Sequence, residues 1–396
     1  MSLDRILGRW VVSIYDVVPV TVGDYRRRAR RRLPRFLFDY LDGGANDEKT
    51  VAANERDFDR FRLRQRVLRN VDGVSTASEL AGKAVRMPLV LAPVGMAGMY
   101  ARRGEVQGSR AAQRSGVPFA TSTVGICSVE EVAANGRAPW FQLYMLRDRA
   151  LVERLLGRAE AAGCDTLLFT VDLAVAGMRL RDYRNGMLGG GLLGRLSYFA
   201  QLATSPLWAV DVGLRGKPHN FGNLRDVVPD PDDLNAYKAF IDAQFDPSVT
   251  WEDITWLRSI WKGRLIIKGV LEVDDARAAV DSGADGIVVS NHGGRQLDGV
   301  ASSICKLGAI SSALRGQTEI LLDGGIRSGI DMAKALALGA QGVLVGRPWI
   351  YALAVGGESA VVSLLDVMQR ELAVAMALLG IRSVDDFNAD LVEEMS

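Results

Sequence analysis

From about residue 88 onward the chain repeats one unit, a short apolar run followed by an amphipathic stretch. The runs that read as strands are residues 87–93 (MPLVLAP), 118–123 (PFATST), 140–145 (WFQLYM), 166–172 (TLLFTVD), 264–269 (RLIIKG), 285–291 (DGIVVSN), 319–325 (EILLDGG) and 341–346 (QGVLVG). Between them lie stretches with helical spacing, such as RALVERLLGRAEAAG and SGIDMAKALALG, and a final one covers residues 358–380. Strands that are apolar at successive positions are covered on both faces, as in a parallel sheet. Eight β/α pairs predict an α/β chain closed into a (β/α)8 TIM barrel. An open doubly wound sheet is the alternative, but no GxGxxG follows the first run, which weighs against a dinucleotide fold. The expected plan is one domain over residues 1–396, with the barrel at 87–380 and an N-terminal helical extension at 1–86.

One interval breaks the rhythm. Residues 173–250 form an inserted loop after the fourth strand, and loops of such length are usually functional. Its stretch GMLGGGLLGRLSYFAQLATSPLWAVDVGL is rich in Gly, Leu and aromatics, and residues 186–215 read as an interfacial membrane segment. An active-site lid or an oligomer contact is the other reading. Near the N-terminus, DYRRRARRRLPRFLFDYLDGG carries its charges at 26–28, 30–32 and 35. That patch is either a solvated helix face or one drawn to an anionic membrane surface. No uninterrupted apolar run reaches the roughly 18–20 residues of a bilayer span. A signal peptide is not expected, because residues 1–23 lack a small-residue cleavage site.

With 48 Lys and Arg against 47 Asp and Glu, no global charge points to nucleic acid. The three cysteines, Cys127, Cys164 and Cys305, are scattered and form no CxxC, as in a reduced cytoplasmic chain. Two histidines and no HxxxH leave no expected metal site.

Barrel enzymes keep their chemistry at the C-terminal ends of the strands. Polar residues mark nearly every such end: Ser122, then Gln142 and Tyr144, Thr170 and Asp172, Lys268, Ser290 and His292, Asp323, and Gly346 with Arg347. His292 lies in SNHGGRQLDG, and a neutral imidazole takes up a proton near pH 7 when a carboxylate such as Asp172 orients it. Arg179 and Arg295 suit a substrate carboxylate by their forked guanidinium groups. The glycine turns DGGIRSG and GRPW, with Arg327 and Arg347, suit a phosphate. Lys268 reads either as half of a buried salt bridge or as a cation that stabilises negative charge on a cofactor such as a reduced flavin.

At this point the chain resembles a known family. SNHGGRQLD resembles the signature of the FMN-dependent α-hydroxy acid oxidases and dehydrogenases, and FDYLDGGANDE, APVGMAGMYARRGE, WFQLYMLRDR, TLLFTVD, RDYRNGM, LIIKGVL, LLDGGIRSG and LVGRPWIYALA match that family in order. HNFGN and FDPSVTWEDITWLRSIW add a resemblance to the bacterial membrane-associated respiratory L-lactate dehydrogenases. The resemblance implies FMN as cofactor and oxidation of L-lactate, or a similar 2-hydroxy acid, to the 2-keto acid. It implies His292 as base with Asp172 as partner. Arg179 and Arg295 would hold the substrate carboxylate, with Tyr40 and Tyr144 assisting binding and catalysis. FMN contacts would come from Pro93, Val94, Gly95, Ser122, Gln142, Thr170, Lys268 and Ser290. The phosphate end would use Gly325, Arg327, Gly346 and Arg347, with Asp323 as a ribityl partner, since two anions repel. Gly95 and the insertion favour a membrane quinone as acceptor, on the cytoplasmic side of the inner membrane, and the likeness implies a tetramer. The alternatives are a soluble oxidase that makes hydrogen peroxide, an FMN-dependent isomerase and a non-enzymatic flavin or lactate sensor.

Overall fold

A computed structural model describes residues 18–186, 197, 200–227, 243–314 and 316–395. Its centre is eight parallel strands: β1 (Leu89–Leu91), β2 (Ala120–Ser122), β3 (Trp140–Tyr144), β4 (Thr166–Thr170), β5 (Arg264–Val270), β6 (Gly286–Val289), β7 (Glu319–Leu322) and β8 (Gly342–Val345). They are hydrogen-bonded in the order β1-β8-β7-β6-β5-β4-β3-β2, and a parallel bridge between Leu91 and Phe119 closes the ring. The chain is therefore a (β/α)8 barrel, as the alternation predicts. Every strand except β5 is shorter than its apolar run, because the polar ends of the runs belong to the mouth.

Successive side chains alternate across each strand. One set faces the barrel axis and forms an inner core with Val90, Ala120, Leu168, Ile266, Val288, Leu321 and Leu344. The other set, including Leu89, Phe141, Leu167, Ile267, Ile287 and Val343, packs against the helical shell. Side-chain caps start several of the shell helices. Asp148 accepts from the Leu151 amide at 3.0 Å to open Arg149–Ala161, and Ser328 accepts from the Asp331 amide at 3.1 Å to open Gly329–Ala337.

The floor of the barrel was not foreseen from sequence. Ser78–Leu80 and Lys83–Val85 form an antiparallel hairpin that delivers Leu80, Ala81 and Val85 into the inner core. The Glu319 carboxylate, pushed up in pKa by burial, accepts from the Ala81 amide at 3.0 Å. Leu80 is 1% exposed, so Leu80→Ala opens a void beneath the core and should cost about 2–5 kcal/mol. Urea unfolding monitored by Trp fluorescence reads this loss directly. A midpoint unchanged from the parent would mean that the hairpin is not part of the cooperative core.

The final helix also differs from expectation. It starts at Arg347, directly after β8, and runs to Leu379, with a break at Gly356 (φ −150°, ψ 20°) and Gly357 (φ 64°). The sequence placed a helix only from 358. The residues ahead of the break, RPWIYALAV, are apolar all round because they form a buried helix. By length and composition Arg347–Leu379 is apolar enough to cross a membrane. Its glycine break and its packing on Val22–Arg32 and Gly104–Ser115 make it a core helix instead.

Three helices, Val22–Arg32, Arg35–Asp42 and Lys49–Arg56, precede the barrel. The basic patch on them is partly internal. Arg26 pairs with Asp42, Arg27 with Asp24, and Arg32 donates to the Val355 carbonyl. Within the insertion, Pro206–Trp208 runs into a wider helical turn over Ala209–Leu214. Trp208 is buried, donates Nε1–H to the Met99 carbonyl at 2.8 Å and meets Phe36 edge-on. Leu207, Val210 and Leu214 of the same segment face outward, and Leu207 is 73% exposed. Residues 1–17 of the N-terminal extension, 187–196 and 198–199 of the candidate membrane segment, and 228–242 lie outside the described residues.

Candidate active site

The mouth is the next layer of the barrel interior. Ser122, Gln142, Thr170, Lys268, Ser290, Asp323 and Gly346 each stand two residues beyond an inner-core residue: Ala120, Trp140, Leu168, Ile266, Val288, Leu321 and Leu344. Period-two alternation therefore points them to the axis above the core. Tyr144, Asp172 and His292 are one further step outward.

The turn after β6 carries three successive left-handed residues, His292 (φ 57°), Gly293 (φ 62°) and Gly294 (φ 72°). A histidine in that region stores strain, which its surroundings must hold. The Ser290 hydroxyl accepts from the His292 amide at 3.0 Å. Asn291 and Asn54 exchange side-chain amide bonds of 2.8 Å each. The imidazole is thereby aimed at Asp172, with Nδ1 to Oδ1 at 2.7 Å. Burial pushes the Asp172 carboxyl upward, but His292 and Lys268 outweigh it and hold it below the usual range. An anionic Asp172 fixes the proton on Nδ1 and leaves Nε2 as the basic nitrogen. The Tyr144 ring lies nearly parallel to the imidazole, at 6.4 Å and 20°, and is met edge-on by Phe245 at 5.3 Å. Burial, with Asp172 nearby, raises the Tyr144 phenol, which stays a neutral donor.

Beside this pair, the Tyr40 ring lies between two guanidinium groups, Arg179 at 5.1 Å and Arg295 at 4.9 Å from its centroid. Asp182 accepts from Arg179 Nε at 2.9 Å, and Arg295 Nη1 donates to the carbonyls of Tyr40 and Gly43 at 2.7 and 2.9 Å. Two forked cations on one aromatic ring suit a planar carboxylate.

Deeper in the mouth, Lys268 Nζ meets Asp323 Oδ2 at 2.6 Å and donates to Ser290 Oγ at 2.8 Å. Burial alone would lower the lysine pKa, but Asp323 and Asp172 outweigh it and raise it. Ser122 Oγ donates to Gln142 Oε1 at 2.9 Å, and Gln142 Nε2 to Thr170 Oγ1 at 3.1 Å. Asp323 Oδ1 is buried with no partner among the described residues. Pro93, Val94 and Gly95 follow β1, and a Cβ on Gly95 would stand 2.9 Å from Val124 Cγ2. At the far end, Gly324 and Gly325 adopt φ of 92° and 87°, and Gly346 caps the helix from Arg347.

These residues fit a flavin mononucleotide. The buried cation, the amide and hydroxyl chain, the unpartnered acceptor on Asp323 and the glycine turns are the features such a group requires. Two arginines stand beside these glycine turns. Arg347 donates to the carbonyls of Leu41, Gly293 and Gly43 at 3.0, 2.8 and 2.8 Å, and burial lowers its pKa to about 10. Arg327 donates to Glu55 at 2.7 Å and to the Ile326 carbonyl at 2.9 Å. Both guanidinium groups are thus held in place by protein partners beside the glycine turns, with N–H groups to spare.

Sequence reasoning missed Asp42, Asn54, Asp182 and Phe245. Asp182 had a local signal, an acid three residues after Arg179. Met178, next to Arg179, is 54% exposed, and His219 Nε2 meets the Val212 carbonyl at 2.8 Å inside the insertion.

Residues 29–394 match the model of a family described as FMN-dependent dehydrogenase. The chain is 51% identical to an L-lactate dehydrogenase of Pectobacterium atrosepticum over 374 residues, 94% of this chain and 96% of that one. It is 52% identical to an L-lactate dehydrogenase of Caulobacter vibrioides over 372 residues, 94% and 97% of the two chains. Among solved structures, (S)-mandelate dehydrogenase, described as a monotopic membrane protein, superposes with a TM-score of 0.89 at 34% identity, covering 95% of this chain and 99% of that one. A mandelate oxidase superposes with a TM-score of 0.79 at 40% identity, covering 93% and 96%.

Proposed function

The chain belongs to the FMN-dependent dehydrogenase family, and from that premise we propose that it oxidises L-lactate to pyruvate and passes the electrons to a membrane quinone. The observation that carries this reading is the His292–Asp172 pair at 2.7 Å beside a tyrosine flanked by two arginines. The substrate carboxylate binds Arg179 and Arg295, with Tyr40 and Tyr144 as hydrogen-bonding neighbours. His292 Nε2 accepts one proton as the 2-hydroxy acid loses two electrons and two protons, and Asp172 stabilises the imidazolium that results. When bound, FMN would take up the two electrons with the second proton. Pro93, Val94, Gly95, Ser122, Gln142, Thr170, Lys268, Ser290 and Asp323 would hold it, with Gly325, Arg327, Gly346 and Arg347 at its phosphate. Lys268 offers a fixed positive charge where negative charge develops.

The acceptor is a quinone and the enzyme sits peripherally on the cytoplasmic face of the membrane as a homotetramer. This part is supported by the outward Leu207, Val210 and Leu214 and by the likeness to a monotopic mandelate dehydrogenase. The likeness to a mandelate oxidase favours a second reading, a soluble oxidase that makes hydrogen peroxide. Anaerobic mixing with L-lactate, glycolate and (S)-mandelate should bleach the flavin fastest with L-lactate. Re-oxidation should then be at least tenfold faster with a quinone analogue than with air-saturated buffer, on the order of the one-decade differences that rate assays resolve cleanly. Peroxide formed in step with lactate consumed would select the oxidase instead.

A further inference from the structure

We propose that Asp42 is a positioning residue for the substrate clamp, fixing Tyr40 and Arg179 against each other from outside the reacting centre. The inference rests on the reading of Arg179 and Arg295 as the carboxylate clamp. Asp42 is the last residue of the helix Arg35–Asp42, and its side chain is 3% exposed. Its two oxygens accept four hydrogen bonds: Arg26 Nε at 2.5 Å, Arg26 Nη2 at 2.8 Å, Arg181 Nη1 at 2.9 Å and the Tyr351 hydroxyl at 2.7 Å. A carboxylate has about four lone-pair sites, so this one is saturated and fixed in orientation. Burial pushes its pKa up, but Arg26, Tyr351 and Arg181 outweigh burial and hold the group ionised.

The donors come from three separate segments: the helix Val22–Arg32, the helix Leu180–Arg184 of the insertion and the helix Arg347–Leu379. The clamp is one short step away on two of the chains that meet here. Tyr40 lies two residues before Asp42, and Arg179 two residues before Arg181. The backbone around Asp42 is held from the opposite side, where Arg347 takes the Leu41 and Gly43 carbonyls and Arg295 takes those of Tyr40 and Gly43. Arg179 and Tyr40 meet in a cation–ring contact of 5.1 Å, which by itself is soft. The Asp42–Arg181 bond is the buried, charge-assisted connection between the segments that carry them, beside the Arg181–Glu48 pair and the Asn46 amide on the Met178 carbonyl. Without the anion, Arg26 and Arg181 face each other as like charges, and the joint between the two halves of the clamp loosens.

The test is single-turnover flavin reduction by L-lactate in the FMN-loaded Asp42→Asn protein, with FMN content and thermal midpoint measured on the same sample. Asn keeps the shape but loses the charge and half the acceptor capacity. The half-saturating lactate concentration is expected to rise by roughly 10- to 100-fold, the scale of a small misplacement of a binding group, while the limiting reduction rate stays within about threefold. A lower thermal midpoint with an unchanged half-saturating concentration would overturn the proposal, because a purely structural role acts on the folded fraction alone. Tyr351→Phe and Arg181→Gln each remove one donor and keep most of the packing. Both should shift the half-saturating concentration in the same direction by less, and an unchanged value in both overturns the proposal even if Asp42→Asn does not fold. Arg295→Met separates the premise from the inference. If Arg295→Met raises the half-saturating concentration and the Asp42 series does not, the clamp stands and the positioning role falls. If Arg295→Met leaves it unchanged, the clamp reading itself fails.

Discussion

His292→Gln is expected to retain FMN and to lose at least 10²–10⁴-fold in the rate of lactate-driven flavin reduction, the usual contribution of a positioned general base. A glutamine amide can still donate to Asp172, so the buried carboxylate keeps a partner, but the amide cannot take up a proton at neutral pH. The effect should appear in the limiting rate rather than in the half-saturating lactate concentration, because the clamp at Arg179 and Arg295 is untouched. The backbone at this position has φ 57°, which glutamine tolerates less well than asparagine does. His292→Asn is therefore the paired variant, and equal loss in both variants assigns the effect to the missing base rather than to the turn. Anaerobic stopped-flow absorbance at saturating lactate gives the rate, and the visible spectrum gives the flavin content. A variant that binds flavin and is reduced within tenfold of the parent rate would remove His292 from the proton transfer.

The sequence exposes the barrel and its mouth for one physical reason. Parallel strands covered on both faces leave continuous apolar runs, and the polar layer begins where the inner core stops, so Lys268 after LII and Ser290 after IVV announce themselves. The same alternation that buries Ile266 and Val288 points those two residues to the axis. What stays hidden has no local pattern. The floor hairpin is two strands of three residues each, too short for a period. The Asp42 hub joins residues 16, 139 and 309 positions apart, and nothing in FDYLDGG marks its aspartate as saturated. Arg327 and Arg347 announce themselves beside glycine turns, but nothing local shows that Glu55 and the carbonyls of 41, 43 and 293 hold their guanidinium groups. The helix ahead of the break at Gly356 and Gly357 is apolar on every side, so it shows no period from which to read it.

Lys268→Met is expected to destabilise the apoprotein by about 3–5 kcal/mol, the scale for leaving one member of a buried ion pair without its partner. Lys268 is 4% exposed and Asp323 8%, so solvent does little to screen what remains. With the ammonium gone, Asp323 keeps neither its 2.6 Å counter-charge nor any partner on Oδ1. Lys268→Met with Asp323→Leu removes both charges and should recover most of the loss, the coupling that a double-mutant cycle measures. The folded-state pKa of Lys268 is raised, so its contribution is complete below the unfolded value of about 10.4 and is lost only as pH rises through the folded value. The deficit of the single variant should therefore be full at pH 7 and shrink in strongly alkaline buffer. Urea midpoints at the two pH values check this. Equal stability of parent and Lys268→Met at pH 7 would show that the pair is already compensated by hydration. The redox consequence is separate and has its own sign. Taking a fixed positive charge away from the site where negative charge accumulates makes reduction less favourable, so the midpoint potential of flavin retained by the variant should fall. A potential unchanged in a variant that still binds FMN would place the ammonium away from the accumulating charge and leave Lys268 with its partnership to Asp323 alone.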